Sequence, residues 1–195
     1  MKTQIKQSAG LGRAIYSALV LLVIALDQLT KYLVVQNFAL YESKPVIEGV
    51  VHLTYVTNSG AAFGMLKDHR WVFMILSTAA ILGIYVCLWL FARRSPLFCI
   101  GLSMIVGGGI GNMIDRFRLG WVTDFIDLRF IDFAVFNVAD SFVCIGCAVL
   151  FLYLLFFDAK AKEPLFCIKD EKKGGAGRAE ADNAGEKPGE KDGDR

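Results

Sequence analysis

Histidine is scarce in this chain: there are two among its 195 residues, and neither has a motif partner. No G-x-S-x-G pattern surrounds Ser59 either, so the sequence gives no support to a serine hydrolase. Charge of one sign is not in excess, because 21 lysines and arginines stand against 19 aspartates and glutamates for a net charge of +2. A charge so nearly balanced does not indicate binding to nucleic acid.

Cysteine is present in an odd number, five, and in positions that do not indicate a redox motif. Four of the five lie in apolar runs, and Cys167 begins the polar C-terminal part. Cys144 and Cys147 form C-x-x-C, but inside an apolar run rather than beside a βαβ pattern. We therefore expect them to be small packing residues.

Apolar residues, in contrast, are abundant. They make up 55% of the chain, and the mean hydropathy of +0.48 is more than a soluble domain of this size can bury. Four apolar runs each come close to the roughly 20 residues that a helix needs to cross a bilayer. The sequence predicts transmembrane helices over about 14–35, 71–92, 97–114 and 133–157.

Basic residues outside these runs indicate the orientation of the chain. Lysines and arginines precede the first span, separate the second from the third and follow the fourth, so the positive-inside rule places both termini in the cytoplasm. The loops 37–70 and 115–132 then face outward, although they also carry basic residues. The first run continues into Asp27–Lys31 with no cleavage pattern, which predicts a retained anchor rather than a cleaved signal peptide.

Composition divides the chain into three parts. Residues 1–13 form a cytoplasmic N-terminus, residues 14–158 the four-helix domain and residues 159–195 a cytoplasmic tail. From Asp170 onward the chain is mostly glycine, lysine, glutamate and aspartate, a composition typical of disorder.

The outer loop contains a segment with the periodicity of a strand. Over residues 46–57, apolar side chains alternate with polar ones, and β-branched residues are frequent. An amphipathic strand resting on the membrane, with Ile47, Val51 and Tyr55 on one face, explains this pattern, and an ordinary hairpin explains it equally well. The small residues of Asn58–Gly64 permit tight turns and close backbone approach.

Polar residues inside the predicted spans need an explanation, because such residues are costly in hydrocarbon. Asp27 and Lys31 are four positions apart and share one helix face, as a structural ion pair or as groups that handle substrate. Asp115 and Arg116 end the third span, where they mark the water interface or form a buried brace.

The third span also ends in a glycine-rich segment, Gly107–Arg116. A dinucleotide-binding loop would require a preceding strand, so that interpretation is excluded. Gly107 and Gly111 form G-x-x-x-G, which lets another backbone pack closely. Asn112 can then form hydrogen bonds across the bundle.

Acidic residues cluster where the chain enters the fourth span. Asp140 follows Asn137 at the spacing of a capping box, so one interpretation is that it only caps the helix. The other arises from Asp124, Asp127 and Asp132 in the preceding connector. Two carboxyl groups held together share a proton and can act as base and acid on a water molecule and a peptide carbonyl. These residues alone do not decide which connector aspartate is the partner of Asp140.

If the partner is Asp124, its protonation is expected to differ from that of Asp140. The N-terminus of the helix favours an ionised Asp140, whereas the apolar neighbours Val122, Phe125 and Ile126 favour a protonated Asp124. The two groups would titrate as a unit.

Three other functions are compatible with parts of this pattern. A small transporter or channel would use the aspartates as a path for ions or protons, but no internal repeat is evident. A non-enzymatic tetraspan assembly protein would use them as helix caps and interface charges. A presenilin-like protease shares the chemistry, yet no aspartate directly follows a G-x-G on the third span.

Five motifs occur in the chain, in this order: D-Q-L-T-K (Asp27–Lys31), N-S-G-A-A-F-G (Asn58–Gly64), G-G-G-I-G-N-M-I-D-R (Gly107–Arg116), V-T-D-F (Val122–Phe125) and F-N-V-A-D-S (Phe136–Ser141). Together they resemble the bacterial lipoprotein signal peptidases, also called type II signal peptidases. The resemblance runs in the family order from about residue 14 to residue 157, and a long charged tail is the one unusual element.

The resemblance implies an α-helical membrane protein with four transmembrane helices, a small periplasmic β-cradle and a periplasmic helix. It implies an aspartyl endopeptidase of the inner membrane that removes signal peptides from prolipoproteins, just before a diacylglyceryl-modified cysteine. The active site would lie near the periplasmic face. The implied partners are these substrates and membrane lipids; no metal or organic cofactor is implied, and we expect a monomer.

The resemblance also implies roles for single residues, by motif match. Asp124 and Asp140 match the catalytic pair. Positions with active-site or supporting roles in the family are matched by Asn58, Gly108, Asn112, Arg116, Asn137, Asp27, Lys31 and Asp115.

Overall fold

The computed structural model describes residues 2–59, 70–92, 95–131 and 133–157 of the chain. This part of the chain contains four helices and three strands. In chain order they are α1 (Lys2–Asn37), β1 (Ser43–Ile47), β2 (Val51–Asn58), α2 (Arg70–Leu90), α3 (Pro96–Arg118), β3 (Val122–Leu128) and α4 (Val138–Phe156). The tail predicted for residues 159–195 lies outside the described residues.

Three of the described helices contain segments long and apolar enough to cross a membrane: Gly10–Asn37, Pro96–Arg118 and Val138–Phe156. Large apolar side chains such as Leu21 and Phe151 point outward, as expected of helices surrounded by hydrocarbon. The span predicted over 71–92 corresponds to α2, whose apolar stretch in the described residues, Met74–Leu90, is shorter. Four transmembrane helices therefore remain a prediction.

Three helix boundaries differ from the bounds of the predicted spans. α1 begins at Lys2 instead of near residue 14. α3 continues to Arg118 instead of ending near residue 114, so the acidic and basic residues at its end lie on the helix. α4 begins at Val138 instead of residue 133. The reason is that the segment before it is extended: Phe136 exchanges backbone hydrogen bonds of 2.7 and 3.1 Å with Ile126 of β3. This segment holds β3 beside the start of α4.

The three strands form an antiparallel sheet in the order β1-β2-β3. Of the two interpretations of residues 46–57, the hairpin is confirmed and the single strand is wrong, because the chain turns at residues 48–50, where Gly49 has a φ of 71°. The sequence does not predict β3, since two aspartates in seven residues argue against a strand. No helix besides α1–α4 occurs in the described part of the chain, so the periplasmic helix stays a prediction.

α3 lies at the centre of the bundle and packs against the other three helices. Glycines allow the close contacts. At Gly107 an added Cβ would lie 2.7 Å from Val23 Cβ of α1, and at Gly111 it would lie 2.5 Å from Asp27 Oδ2. The predicted G-x-x-x-G contact is therefore confirmed, with α1 as its partner.

Gly108 makes the equivalent contact with α4. A Cβ at this position would overlap the carbonyl oxygen of Ala139, in the first turn of α4. Gly108 therefore fixes how closely the N-terminus of α4 approaches α3.

Replacing Gly108 with alanine is expected to destabilise the protein. The added methyl group would overlap a backbone oxygen that cannot rotate away, and overpacking of this kind costs about 1–3 kcal/mol. The expected result is a lower midpoint of thermal unfolding for the purified protein in detergent micelles.

Gly83→Ala in α2 is the matched control, because a Cβ at Gly83 would have nothing within 4 Å. Alanine is the better helix former by about 1 kcal/mol, so this variant should unfold at the parent temperature or slightly above it. An equal loss in both variants would contradict the packing role of Gly108.

Candidate active site

The structure brings Asp124 and Asp140 to the same cavity, which has a volume of about 560 Å³. Asp124 lies in β3, is 2% exposed, and is held opposite Val56 by antiparallel pairing with β2. Asp140 lies in the first turn of α4. One carboxyl group thus comes from a paired strand and the other from a helix terminus, both rigid elements.

Asp140 caps its helix as well as facing the cavity. Its Oδ2 accepts a hydrogen bond from the backbone N–H of Asn137 (3.2 Å), and Asn137 Oδ1 accepts one from the backbone N–H of Asp140 (3.0 Å). The other carboxylate oxygen, Oδ1, accepts a hydrogen bond from Asn112 Nδ2 (2.7 Å). The capping box is therefore confirmed, but it occupies only one of the two oxygens.

Two asparagines connect the carboxyl groups. Asn137 Nδ2 donates to Asp124 Oδ1 (2.6 Å) and to Asn112 Oδ1 (3.0 Å), and Asn112 in turn donates to Asp140. A third asparagine, Asn58 of β2, donates to Asp124 Oδ2 (3.0 Å). Because each carboxylate oxygen can accept two hydrogen bonds, both groups retain capacity to bind water or substrate.

The other connector aspartates are not brought to Asp140. Asp127 points to the opposite side of β3, where its Oδ2 accepts a hydrogen bond from Thr54 Oγ1 (2.7 Å). Asp132 lies outside the described residues. Among the connector aspartates that the structure describes, Asp124 is the one that shares the cavity with Asp140.

Burial raises the pKa of Asp124 from its ordinary value to about 6. The hydrogen bond from Asn58 opposes this increase, and the negative charge of Asp140 adds to it. The hydrogen bond from Asn137 and the positive charge of Lys31 also oppose it. The direction agrees with the expectation that the surroundings of Asp124 favour its protonated form.

Lys31 reaches the network from α1. Its Nζ lies 2.9 Å from Asp27 Oδ2, 3.2 Å from Asp115 Oδ2 and 2.8 Å from Asn112 Oδ1. All three donors of this buried ammonium group are used. Asn112 also donates a hydrogen bond to Asp140. A single residue, Asn112, therefore connects the ion pairs of Lys31 to Asp140. Neither Lys31 nor its two acidic partners line that cavity, and Asn112 lies between them and Asp140.

The two acids that bind Lys31 also fix backbone next to the carboxyl pair. Asp27 Oδ1 accepts a hydrogen bond from the N–H of Ala139 (3.0 Å), and Asp115 Oδ2 accepts one from the N–H of Thr123 (3.1 Å). Ala139 and Thr123 are the residues that immediately precede the two cavity aspartates.

Gln28 is a member of this network that the sequence analysis misses. Its Nε2 donates to Asp115 Oδ1 (2.9 Å) and to the carbonyl oxygen of Gly111 (3.2 Å). The available signal is its place beside Asp27, as a second polar residue inside an apolar span.

The cavity has a polar end and an apolar wall. Arg116 lies at the polar end, where its guanidinium interacts electrostatically with Asp140, Asp124 and Asp115. The apolar wall comes mainly from the β3–α4 connection and includes Val122, Leu128, Ile131, Phe133, Ala134, Val135 and Phe136. Gly108 does not line the cavity. Within the described ranges, no three histidine, cysteine or acidic side chains gather as a metal ion would require.

Comparison with known proteins places this geometry in a family. A family model described as signal peptidase (SPase) II matches residues 19–156. A lipoprotein signal peptidase of Clostridioides difficile (strain 630) is 43% identical over 150 residues, which are 76% of this chain and 99% of that protein. The corresponding protein of Brevibacillus brevis is 43% identical over 145 residues, covering 74% and 97%.

The fold has a solved counterpart. A bacterial membrane enzyme, determined by the in meso method at 2.3 Å resolution, superimposes with a TM-score of 0.68 at 29% identity. The match covers 78% of this chain and 94% of that structure. With the match to the family model and the apolar helices, this likeness identifies a membrane-embedded peptidase: the chain belongs to the signal peptidase II family.

Proposed function

We propose that this protein is an aspartyl endopeptidase of the bacterial inner membrane that removes signal peptides from prolipoproteins. The bond cut lies on the N-terminal side of a cysteine that already carries diacylglycerol. Family membership supports the substrate class. The observation that carries the aspartyl mechanism is the shared cavity, in which Asn112 and Asn137 link Asp124 to Asp140.

In this proposal, hydrolysis begins with a water molecule between the two carboxyl groups. Asp140, ionised at the N-terminus of α4, takes a proton from the water as its oxygen attacks the scissile carbonyl carbon. Asp124, in its protonated form, gives its proton to the carbonyl oxygen. The tetrahedral intermediate therefore forms without a free oxyanion.

The same two groups complete the reaction. Asp140, now protonated, gives its proton to the amide nitrogen as the carbon–nitrogen bond breaks. Asp124 recovers a proton from a hydroxyl group of the intermediate, so both residues return to their starting states. The guanidinium of Arg116 offsets the negative charge that this pair carries throughout the cycle.

The cavity suits a lipid-modified peptide. Its apolar wall, with Ile131 and Phe133, lies next to the carboxyl pair, so a peptide bond can reach the polar end while acyl chains stay in apolar surroundings. We place α1–α4 across the membrane, with both termini in the cytoplasm and the sheet near the periplasmic face. At 1.5 Å per residue, the 21 residues of α2 extend about 30 Å, which matches the hydrocarbon core.

The domain of residues 14–158 acts as a monomer in this proposal, and residues 159–195 form a separate tail. Membership of a peptidase family disfavours the transporter and the non-enzymatic assembly protein. A presenilin-like protease is disfavoured because the chain belongs to signal peptidase II.

Asp124→Asn and Asp140→Asn are each expected to abolish cleavage of a synthetic diacylglyceryl prolipoprotein. An amide can neither take the proton from water nor protonate the carbonyl oxygen, and general acid–base catalysis contributes about 10²–10⁴-fold to rate. We expect kcat/KM of the purified, folded variants to fall by at least about 10²-fold.

Glu48→Gln is the control for this experiment, because it makes the same change from acid to amide in the exposed turn between β1 and β2. It should retain more than half of the parent activity. Mass spectrometry must confirm that the new asparagines have not reverted by deamidation. Normal turnover by both Asp124→Asn and Asp140→Asn would rule out the carboxyl pair.

The pH dependence of kcat/KM tests the assignment of the acid. If protonated Asp124 is required, activity should decline above a pH of about 6, the pKa that burial gives this group. Asn58→Leu removes a hydrogen bond that lowers this pKa, so the pKa rises and the alkaline limb should move to higher pH. A limb that stays in place or moves to lower pH would show that Asp124 is not the acid.

A further inference from the structure

Strand β2 contains a bulge beside the candidate active site. Leu53 pairs with Ile126 of β3, whereas Val56 pairs with Asp124. Between these two pairs, β2 has two residues and β3 has one, which is the arrangement of a β-bulge.

The bulge reverses which side chains of β2 face the cavity. Side chains alternate along a strand, and cross-strand partners share a face. Leu53 therefore shares the face of Ile126, and after the extra residue Val56 and Asn58 share the face of Asp124. This is how Asn58 Nδ2 comes to donate to Asp124 Oδ2 at 3.0 Å. Without the extra residue, Asn58 would point to the opposite face of the sheet.

Contacts on the far face of the sheet hold the bulge. The Thr54 hydroxyl donates to Asp127 Oδ2 (2.7 Å) and lies 2.8 Å from Ser43 Oγ, so it joins all three strands. Since Asp127 accepts the hydroxyl proton, Ser43 is the donor in the second contact. The other bulge residue, Tyr55, donates its backbone N–H to the carbonyl oxygen of Glu42 (3.0 Å) and not to β3.

We propose that Thr54 is a positioning residue for the carboxyl pair, because its hydroxyl group fixes the bulge that directs Asn58 to Asp124. Thr54 lies on the face of the sheet away from the cavity and is not among the residues that line it. It therefore acts through Asn58 and contacts neither substrate nor reacting atoms. The catalytic consequence rests on the proposed function, whereas the effect on Asp124 does not.

Thr54→Val tests this proposal, because valine keeps the β-branched shape and removes only the hydroxyl contacts. Loss of the hydrogen bond from Asn58 should raise the pKa of Asp124. The other charged groups that face Asp124, namely Asp140, Arg116 and Lys31, are left unchanged.

Two measurements follow this change. Infrared titration of the protonated carboxyl band, assigned with Asp124→Asn, reports the pKa without any substrate. The rate of prolipoprotein cleavage should fall roughly fivefold to tenfold in kcat/KM, as for loss of one hydrogen bond, and its alkaline limb should move to higher pH.

Thr57→Val provides the matched control. It makes the same substitution three residues further along β2, where the hydroxyl has no hydrogen-bond partner among the described residues, and it should leave the titration unchanged. A coupled pair is expected to be non-additive, so Thr54→Val should add no further shift to Asn58→Leu.

The possible outcomes separate the two proposals. A titration of Asp124 that Thr54→Val moves no more than Thr57→Val would overturn the positioning role, as would an additive shift in the double variant. Normal cleavage by Asp124→Asn would instead overturn the proposed function, and the infrared titration would still decide whether Thr54 positions Asn58.

Discussion

The ammonium group of Lys31 is buried between α1 and α3, and its partners determine where the surrounding elements can lie. An unpaired charge in such a place costs several kcal/mol, so its ligands must come close. Asp27 and Asp115 neutralise it, and each of them also binds the backbone of a second element, α4 or β3. The charge on one helix therefore orders two other parts of the fold.

Close packing around α3 is a consequence of this requirement. The carboxylate of Asp27 lies directly against Gly111 of α3, where an added Cβ would be 2.5 Å from it. The D-Q-L-T-K motif and the glycine-rich motif are therefore the two halves of one contact. Gly108 likewise lets α4 approach α3 closely, at the turn of α4 that carries Asp140. Small residues and buried charges together hold the carboxyl pair in place.

Much of this arrangement was predictable from local sequence. Length and apolar composition predict the helices, because a bilayer needs about 20 apolar residues and hydrocarbon excludes polar ones. The cost of burying charge singles out Asp27, Lys31 and Asp115 as residues with partners. The capping box at Asn137 follows from spacing alone. β3 was not predictable in this way, because aspartate has a low propensity for strands. The strand is stable because its backbone pairs with β2 on one side and with Phe136 on the other.

The sequence by itself determined the helical segments, the glycines that permit close approach and the set of acidic residues from which a pair could form. The family resemblance pointed to Asp124 as the partner of Asp140, but spacing and composition left Asp127 open, and the tertiary structure brings Asp124, and not Asp127, to the cavity of Asp140. The physical reason is the alternation of side chains along a strand. Two residues three positions apart face opposite sides, and which side faces the helices depends on register. A bulge in β2, a strand far away in sequence, then decides that Asn58 faces the same side as Asp124.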